Sequence, residues 1–323
     1  MESDHLIEMV VKGDRRAIAR AISLVENGSP GAEEILSGLF RHTGKAYRIG
    51  ITGPPGAGKS TITSKLAQWY RKQGLKIGII AVDPTSPFTG GAMLGDRVRM
   101  SEIELDDGIF IRSMASRGSL GGLSRKTREA ADILDAGGAD RILLETVGVG
   151  QSELDIAGAA DTTLVVLVPE SGDGIQAMKA GLMEIADVFI LNKADRPGAD
   201  QAVQSLLMVL GFRAHDETSW LPPVLKSVAS EGKGVAEIGE AVARHQMHME
   251  KQGGLLRRRG ERMRQRIEEM VEDRLKIEFW DESRKRRLSD ELDAVMKFQR
   301  TPYQVAKELT DAFGGSRKNV TPQ

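Results

Sequence analysis

The chain of 323 residues is 40% hydrophobic and 28% charged, carries a net charge of −1 and contains no cysteine. That length suits one large domain or a medium domain with additions, and the composition is ordinary for a globular protein. The near-zero charge gives no support for a nucleic-acid or membrane partner, and the missing cysteines exclude disulfides and thiolate metal sites.

No apolar run reaches the length of a spanning helix. The start, "MESDHLIEMVVKGDRR", is acidic and then mixed, unlike the basic and apolar regions of a signal peptide, so a cytoplasmic location is expected. Residues 1–45 read as a helical extension. Ile18, Ile22 and Val25 keep helical spacing up to a stop at Asn27 and Gly28, and Ser29 and Pro30 predict the cap and first turn of a following helix.

Residues 46–235 alternate differently. "YRIGITG", "KIGIIAVD", "IFIRSM", "RILLETVG", "TTLVVLVP" and "VFILNKAD" are β-rich runs, several of them separated by helical stretches. The alternation predicts an α/β domain with a mostly parallel sheet flanked by helices. Residues 236–323 turn to long, charge-rich helix. Met263, Ile267, Met270, Val271 and Leu275 form an apolar stripe. A last helix is predicted to start at Thr301 and Pro302, to present Ala306, Leu309 and Phe313, and to end at Gly314 and Gly315.

The strongest local signal is "GPPGAGKST", which fits G-x-x-x-x-G-K-[ST] between an apolar strand and a helix. Gly53, Pro54, Pro55, Gly56, Ala57 and Gly58 would turn backbone N–H groups around phosphate oxygens at a helix N-terminus. Lys59 would reach the β- and γ-phosphates, and Ser60, followed by Thr61, would ligate Mg²⁺. This is a P-loop for a nucleoside triphosphate. Mg²⁺ needs few carboxylates because it keeps several waters. Asp83 and Glu145 each end a strand and would point into the crevice at the sheet's C-terminal edge. Asp96 is a third candidate, with a solvated loop or capping carboxylate as the alternative.

In "ILNKAD", Asn192, Lys193 and Asp195 follow a strand. A carboxylate at Asp195 can accept two hydrogen bonds from guanine, whereas adenine offers no such pair of donors and would leave it desolvated and unpaired. The loop of Ser227, Val228 and Ala229 could contact the guanine carbonyl. GTP is therefore favoured over ATP. His245 and His248, at i and i+3, read as a solvated helix face because two histidines without a further ligand make a poor metal site. The basic runs "LLRRRGERMRQR" and "ESRKRR" are followed by acidic residues and lack the interleaved aromatics that stack on single strands. "DPTSPFTGG" after Asp83 reads as a switch or partner-sensing loop.

These motifs, with "ETVGVGQSE" and "VPESGDGIQAMKAGLMEIADVFILNKADRPGAD", resemble the MeaB/ArgK/MMAA family of P-loop GTPases. The resemblance implies a metallochaperone of adenosylcobalamin-dependent acyl-CoA mutases, chiefly methylmalonyl-CoA mutase, that gates cofactor loading and protects or reactivates the enzyme. It implies GTP/GDP and Mg²⁺ at this chain's own site, with adenosylcobalamin reached only through the partner. Asp83, Asp96 and Glu145 match the family's acidic Mg²⁺ residues, "ETVG" its second switch, and Asp173, Gln176 and Lys179 a third switch through which the mutase stimulates hydrolysis. Asn192, Lys193 and Asp195 match its guanine-reading motif, and the C-terminal helices its homodimer contact. Val149 stands where Ras-like proteins carry glutamine after the switch glycine, here Gly148, so slow intrinsic hydrolysis is expected; Gln151 is read as structural. Two alternatives remain from the residues: a P-loop kinase of a small amine, and a nickel-type metal-delivery GTPase.

Overall fold

A computed structural model describes residues 2–83, 103, 105–115, 125–146, 155–171, 180–212, 216 and 219–317. Seven strands form one sheet: β1 (Tyr47–Thr52), β2 (Ile77–Asp83), β3 (Ile109–Ala115), β4 (Arg141–Thr146), β5 (Thr162–Leu167), β6 (Val188–Leu191) and β7 (Val224–Lys226). Their order is β3-β2-β4-β1-β5-β6-β7, and every pairing is parallel. Strands such as "TTLVVL" and "VFIL" are buried along their whole length, as expected when helices cover both faces. The short edge strand β7 is an addition to the six runs read from the sequence.

Before the sheet come α1 (Glu2–Val11), α2 (Arg15–Glu26) and α3 (Ala32–Phe40). These N-terminal helices share one core with α5 (Arg125–Ala136), in which Ile18, Ile22, Val25 and Leu39 meet Ile133, Leu134, Ile142 and Leu144. Asp14 caps α2 by accepting from the Ala17 N–H at 2.7 Å. The start of α3 differs from expectation. Gly31, at φ +86°, is its N-cap, so Ser29 and Pro30 lie in the turn ahead of the helix rather than inside it.

On the other face, α4 (Lys59–Lys72) and α8 (Val235–Lys251) bury Ile62, Leu66, Ile238 and Val242 against Ile49, Ile51, Ile79 and Leu164. A third cluster joins β5 and β6 to α7 (Ala199–Gly211), with α6 (Ala180–Ile185) leading into β6.

Two compact units divide the chain, Met1–Arg258 and Arg259–Gln323. The helices α9 (Gly254–Phe279), α10 (Glu282–Met296) and α11 (Pro302–Arg317) complete it. Within the second unit, Val305 and Leu309 are buried, and the Phe313 ring meets Phe279 edge-on at 5.3 Å. Val305 takes the inward place expected of Ala306, which is exposed. The last helix also continues through Gly314 and Gly315 to Arg317, because glycine weakens a helix without forbidding it. Among the described residues no helix is long and apolar enough to cross a membrane.

Candidate nucleotide site

The site begins where β1 ends. Gly53 adopts φ +136°, and a Cβ there would lie 2.1 Å from the Val166 carbonyl oxygen of β5, so only glycine lets the chain leave the sheet at this point. Gly58, at φ +89°, is the N-cap of α4 and has no side chain to cap it. The first-turn N–H groups of α4 thus face the loop together with the positive end of the helix dipole, the physical basis of anion binding. Lys59 is buried, and its ammonium donates to the carbonyl oxygens of Gly53 at 2.8 Å and Pro54 at 3.0 Å.

Ser60, one residue into the helix, donates through Oγ to Glu145 Oε1 at 2.5 Å, and both side chains are buried. Glu145 sits in β4 between its register partners Ile51 of β1 and Ala81 of β2, at the C-terminal edge of the sheet. A hydroxyl and a carboxylate meeting at the wall of a cleft are hard oxygen donors, and they fit Mg²⁺ with waters and phosphate oxygens filling the rest of its shell. Asp83 ends the adjacent β2; its side chain lies outside the described residues. Asp96, Asp173, Gln176 and Lys179, with Gly148, Val149 and Gln151, also lie outside them. The cleft has a volume of 520 Å³, and its walls include Gly58, Lys59, Ser60, Glu145, Thr146 and Lys193.

The base-side motif is built by Asn192. Its Nδ2 donates to the Ala57 carbonyl at 2.8 Å, while its Oδ1 accepts from Ser227 Oγ and the Ala229 N–H, both at 3.1 Å. Asn192 therefore ties the phosphate loop to the loop of residues 227–229. Lys193 follows at φ +57°, a left-handed conformation in a non-glycine residue, and turns the chain so that Lys193 lines the cleft while Asp195 is exposed. Ser227 and Ala229 are buried, and the Val228 N–H donates to Lys233 O at 3.1 Å.

His245 is not on a solvated face. It is buried, its Nδ1 lies 2.7 Å from Thr162 Oγ1, its Nε2 lies 3.3 Å from Asp187 Oδ1, and Trp220 packs on its ring at 4.9 Å. Burial pushes its pKa down to about 4 against the opposing pull of Asp187. His248 packs on the same indole. Among the described residues no group of three or more His, Cys, Asp or Glu could hold a metal ion.

Sequence reasoning also missed Thr52 and Thr146, whose buried hydroxyls bond at 3.0 Å beneath the cleft. Threonine at a strand end carries no signal by itself.

A parallel sheet whose first strand runs into a glycine loop, with lysine and serine at the loop's exit and a carboxylate on the neighbouring strand, defines a P-loop nucleotide-binding protein with helical extensions at both ends. Residues 18–284 match the family described as "Methylmalonyl Co-A mutase-associated GTPase MeaB", and the chain belongs to that family. It is 52% identical over 270 residues to a Pyrococcus abyssi protein named as a GTPase, covering 83% of each chain. It is 39% identical over 246 residues to the Escherichia coli GTPase ArgK, covering 73% of each. The mouse mitochondrial methylmalonic aciduria type A homolog is 35% identical over 274 residues, with 79% of this chain and 66% of that protein covered. The crystal structure of an LAO/AO transport system kinase superposes with a TM-score of 0.74 at 27% identity over 97% of both chains.

Proposed function

We propose that this MeaB-family GTPase binds GTP with Mg²⁺, hydrolyses it slowly, and uses the cycle to gate cofactor loading and to protect or reactivate an adenosylcobalamin-dependent acyl-CoA mutase. The observation that carries the nucleotide half is the joining of two half-sites on one loop. Lys59 and Ser60 leave the phosphate loop beside Glu145, and Asn192 fastens the same loop to residues 227–229. Lys59 exchanges its Gly53 and Pro54 carbonyl contacts for β- and γ-phosphate oxygens. Ser60 and Glu145, with Asp83 and Asp96, hold the metal, which supplies charge neutralisation across the phosphates when bound. Asp195 selects guanine. The partner half rests on the family's description and on the mouse relative's name. Asp173, Gln176 and Lys179 carry the partner's stimulation of hydrolysis.

We assign the C-terminal helices to a homodimer contact. The stripe read from the sequence supports this, since Ile267, Val271 and Leu275 are 55%, 50% and 41% exposed in the single chain. The second unit also carries an apolar cavity of 370 Å³ between Phe279, Leu292 and Leu309.

Capture from native extract in GTP and in GDP tests the partner. An acyl-CoA mutase retained in a nucleotide-dependent manner supports the proposal and identifies which one is served; no mutase in either state contradicts it. The alternative of a small-amine kinase, prompted also by the name of the superposed structure, predicts γ-labelled phosphate on an amine. The GTPase reading predicts free phosphate.

A further inference from the structure

Phe298 breaks two rules of folding at once. Among the described residues only it and Lys193 of the nucleotide cleft combine a side chain with positive φ, here +56°, a conformation bulky residues rarely adopt. Its ring is also 95% exposed. The Phe298 N–H donates to the Val295 carbonyl at 3.0 Å and the Gln299 N–H to the Ala294 carbonyl at 2.9 Å. That pair of bonds closes α10 after a left-handed residue, a place that ordinarily takes glycine. Arg300 fastens the turn through ion pairs to Glu291 and Glu308. A strained backbone therefore holds an aromatic ring in water, where the single chain gains nothing from it.

The same unit leaves an apolar groove open. Phe279, Trp280, Leu288, Leu292 and Leu309 wall the 370 Å³ cavity, and Leu292 is 52% exposed. None of the residues of α10 is buried, although a helix draws most of its stability from burying one face. The helix is also bipolar, with Arg284, Lys285, Arg286 and Arg287 ahead of Asp290, Glu291 and Asp293. Two copies of α10 laid antiparallel about a two-fold axis at Leu288 and Ser289 set each basic half against the other's acidic half, Arg287 opposite Asp290. In that register the helical rise brings Phe298 of one copy level with Phe279 and Trp280 of the other. The charges and the exposed ring call for the same alignment. We propose that Phe298 anchors an isologous contact between two copies of this chain, each ring entering the other copy's groove while the two α10 helices pair antiparallel. This rests on the homodimer assignment above and names the residues that carry it.

Sedimentation of the full chain across a dilution series gives the dimer Kd, with thermal melts of the diluted chain alongside. Phe298→Gly supplies the residue the turn prefers, so the melt should not fall below wild type while the dimer Kd rises about 100-fold, as for loss of a buried aromatic anchor. Arg287→Glu and Asp290→Lys should each raise the Kd about tenfold, because a pair of identical variant chains sets like charges opposite one another. Mixing the two variants should return the Kd to within about threefold of wild type, which no defect inside one chain would allow. A wild-type Kd in Phe298→Gly overturns the anchor, and no recovery on mixing overturns the antiparallel register. A Phe298→Gly dimer that is intact but no longer retains an acyl-CoA mutase from extract gives the groove to another protein and overturns the second copy as its occupant. A wild-type chain that is monomeric at every concentration overturns the homodimer assignment itself.

Discussion

Asn192 and Ala57 lie 135 residues apart in the chain, yet the Asn192 amide donates to the Ala57 carbonyl at 2.8 Å in a buried setting. With its Oδ1 accepting from Ser227 and Ala229, Asn192 uses both ends of one planar group to hold two loops at a fixed spacing. Under the proposed function, a nucleotide lying along the phosphate loop would span the two loops that Asn192 joins.

Asn192→Ala removes three hydrogen bonds and strands a buried carbonyl and a buried N–H. A stability loss of about 2–3 kcal/mol is expected, with GDP affinity falling about 10- to 100-fold. Melts and GDP titrations of the purified variant check both; unchanged GDP affinity would show that the two loops do not act as one site.

Gly58→Ala should be far worse than Gly56→Ala. Both glycines have positive φ, +89° and +76°, so each alanine carries left-handed strain of about 1–2 kcal/mol. At Gly56 the new methyl meets nothing within 4 Å, but at Gly58 it lies 2.3 Å from Asn192 Nδ2. Nucleotide titration should therefore show near-normal binding for Gly56→Ala and a loss of about 100-fold or more for Gly58→Ala. Equal behaviour of the two would contradict the described loop geometry.

Acid should destabilise the fold through His245. Its folded pKa of about 4 lies below the ordinary value of 6.5, because the buried ring resists charging, and Arg258 and His248 add to that resistance while Asp187 and Asp161 oppose it. The unfolded chain thus takes up this proton first. The contribution, about 3 kcal/mol, is fully present above pH 6.5 and is lost as the pH falls towards 4. A His245→Asn variant should melt lower than wild type at pH 7.5 but show a shallower decline between pH 6.5 and 4.5. Parallel curves would assign the acid limb to other groups.

Asp195→Asn should weaken GTP and improve xanthosine triphosphate, since an amide can donate to the xanthine carbonyl where a carboxylate cannot. Competition titration with the two triphosphates reads this directly. Unchanged selectivity would place base reading elsewhere.

The phosphate loop was legible because its chemistry is local: glycines, lysine and serine at fixed spacing between a strand and a helix. The long strands were legible from their β-branched runs. The edge strand β7 was not, being three residues long, only partly buried and preceded directly by Pro222 and Pro223. The order of the strands was not legible either, since β4 lies between β2 and β1 only through contacts far apart in the chain.

His245 was misread although a signal existed. Ile238, Val242 and His245 recur at helical spacing and share the buried face of α8, where an imidazole finds Thr162 and Asp187 rather than water. Glu145 was legible as a strand-ending carboxylate, but its bond to Ser60 and the neighbouring Thr146–Thr52 bond needed the sheet register. Asn192 was recognised by its motif and grouped with the base readers; that its amide also spans two loops follows only from the fold.

Phosphate release from GTP with and without purified methylmalonyl-CoA mutase is the decisive measurement for a GTP cycle that answers to an acyl-CoA mutase. Turnover should be slow alone and clearly accelerated by the mutase, and the acceleration should be lost in Lys179→Ala. A turnover rate unchanged by this mutase and by its acyl-CoA relatives would contradict it.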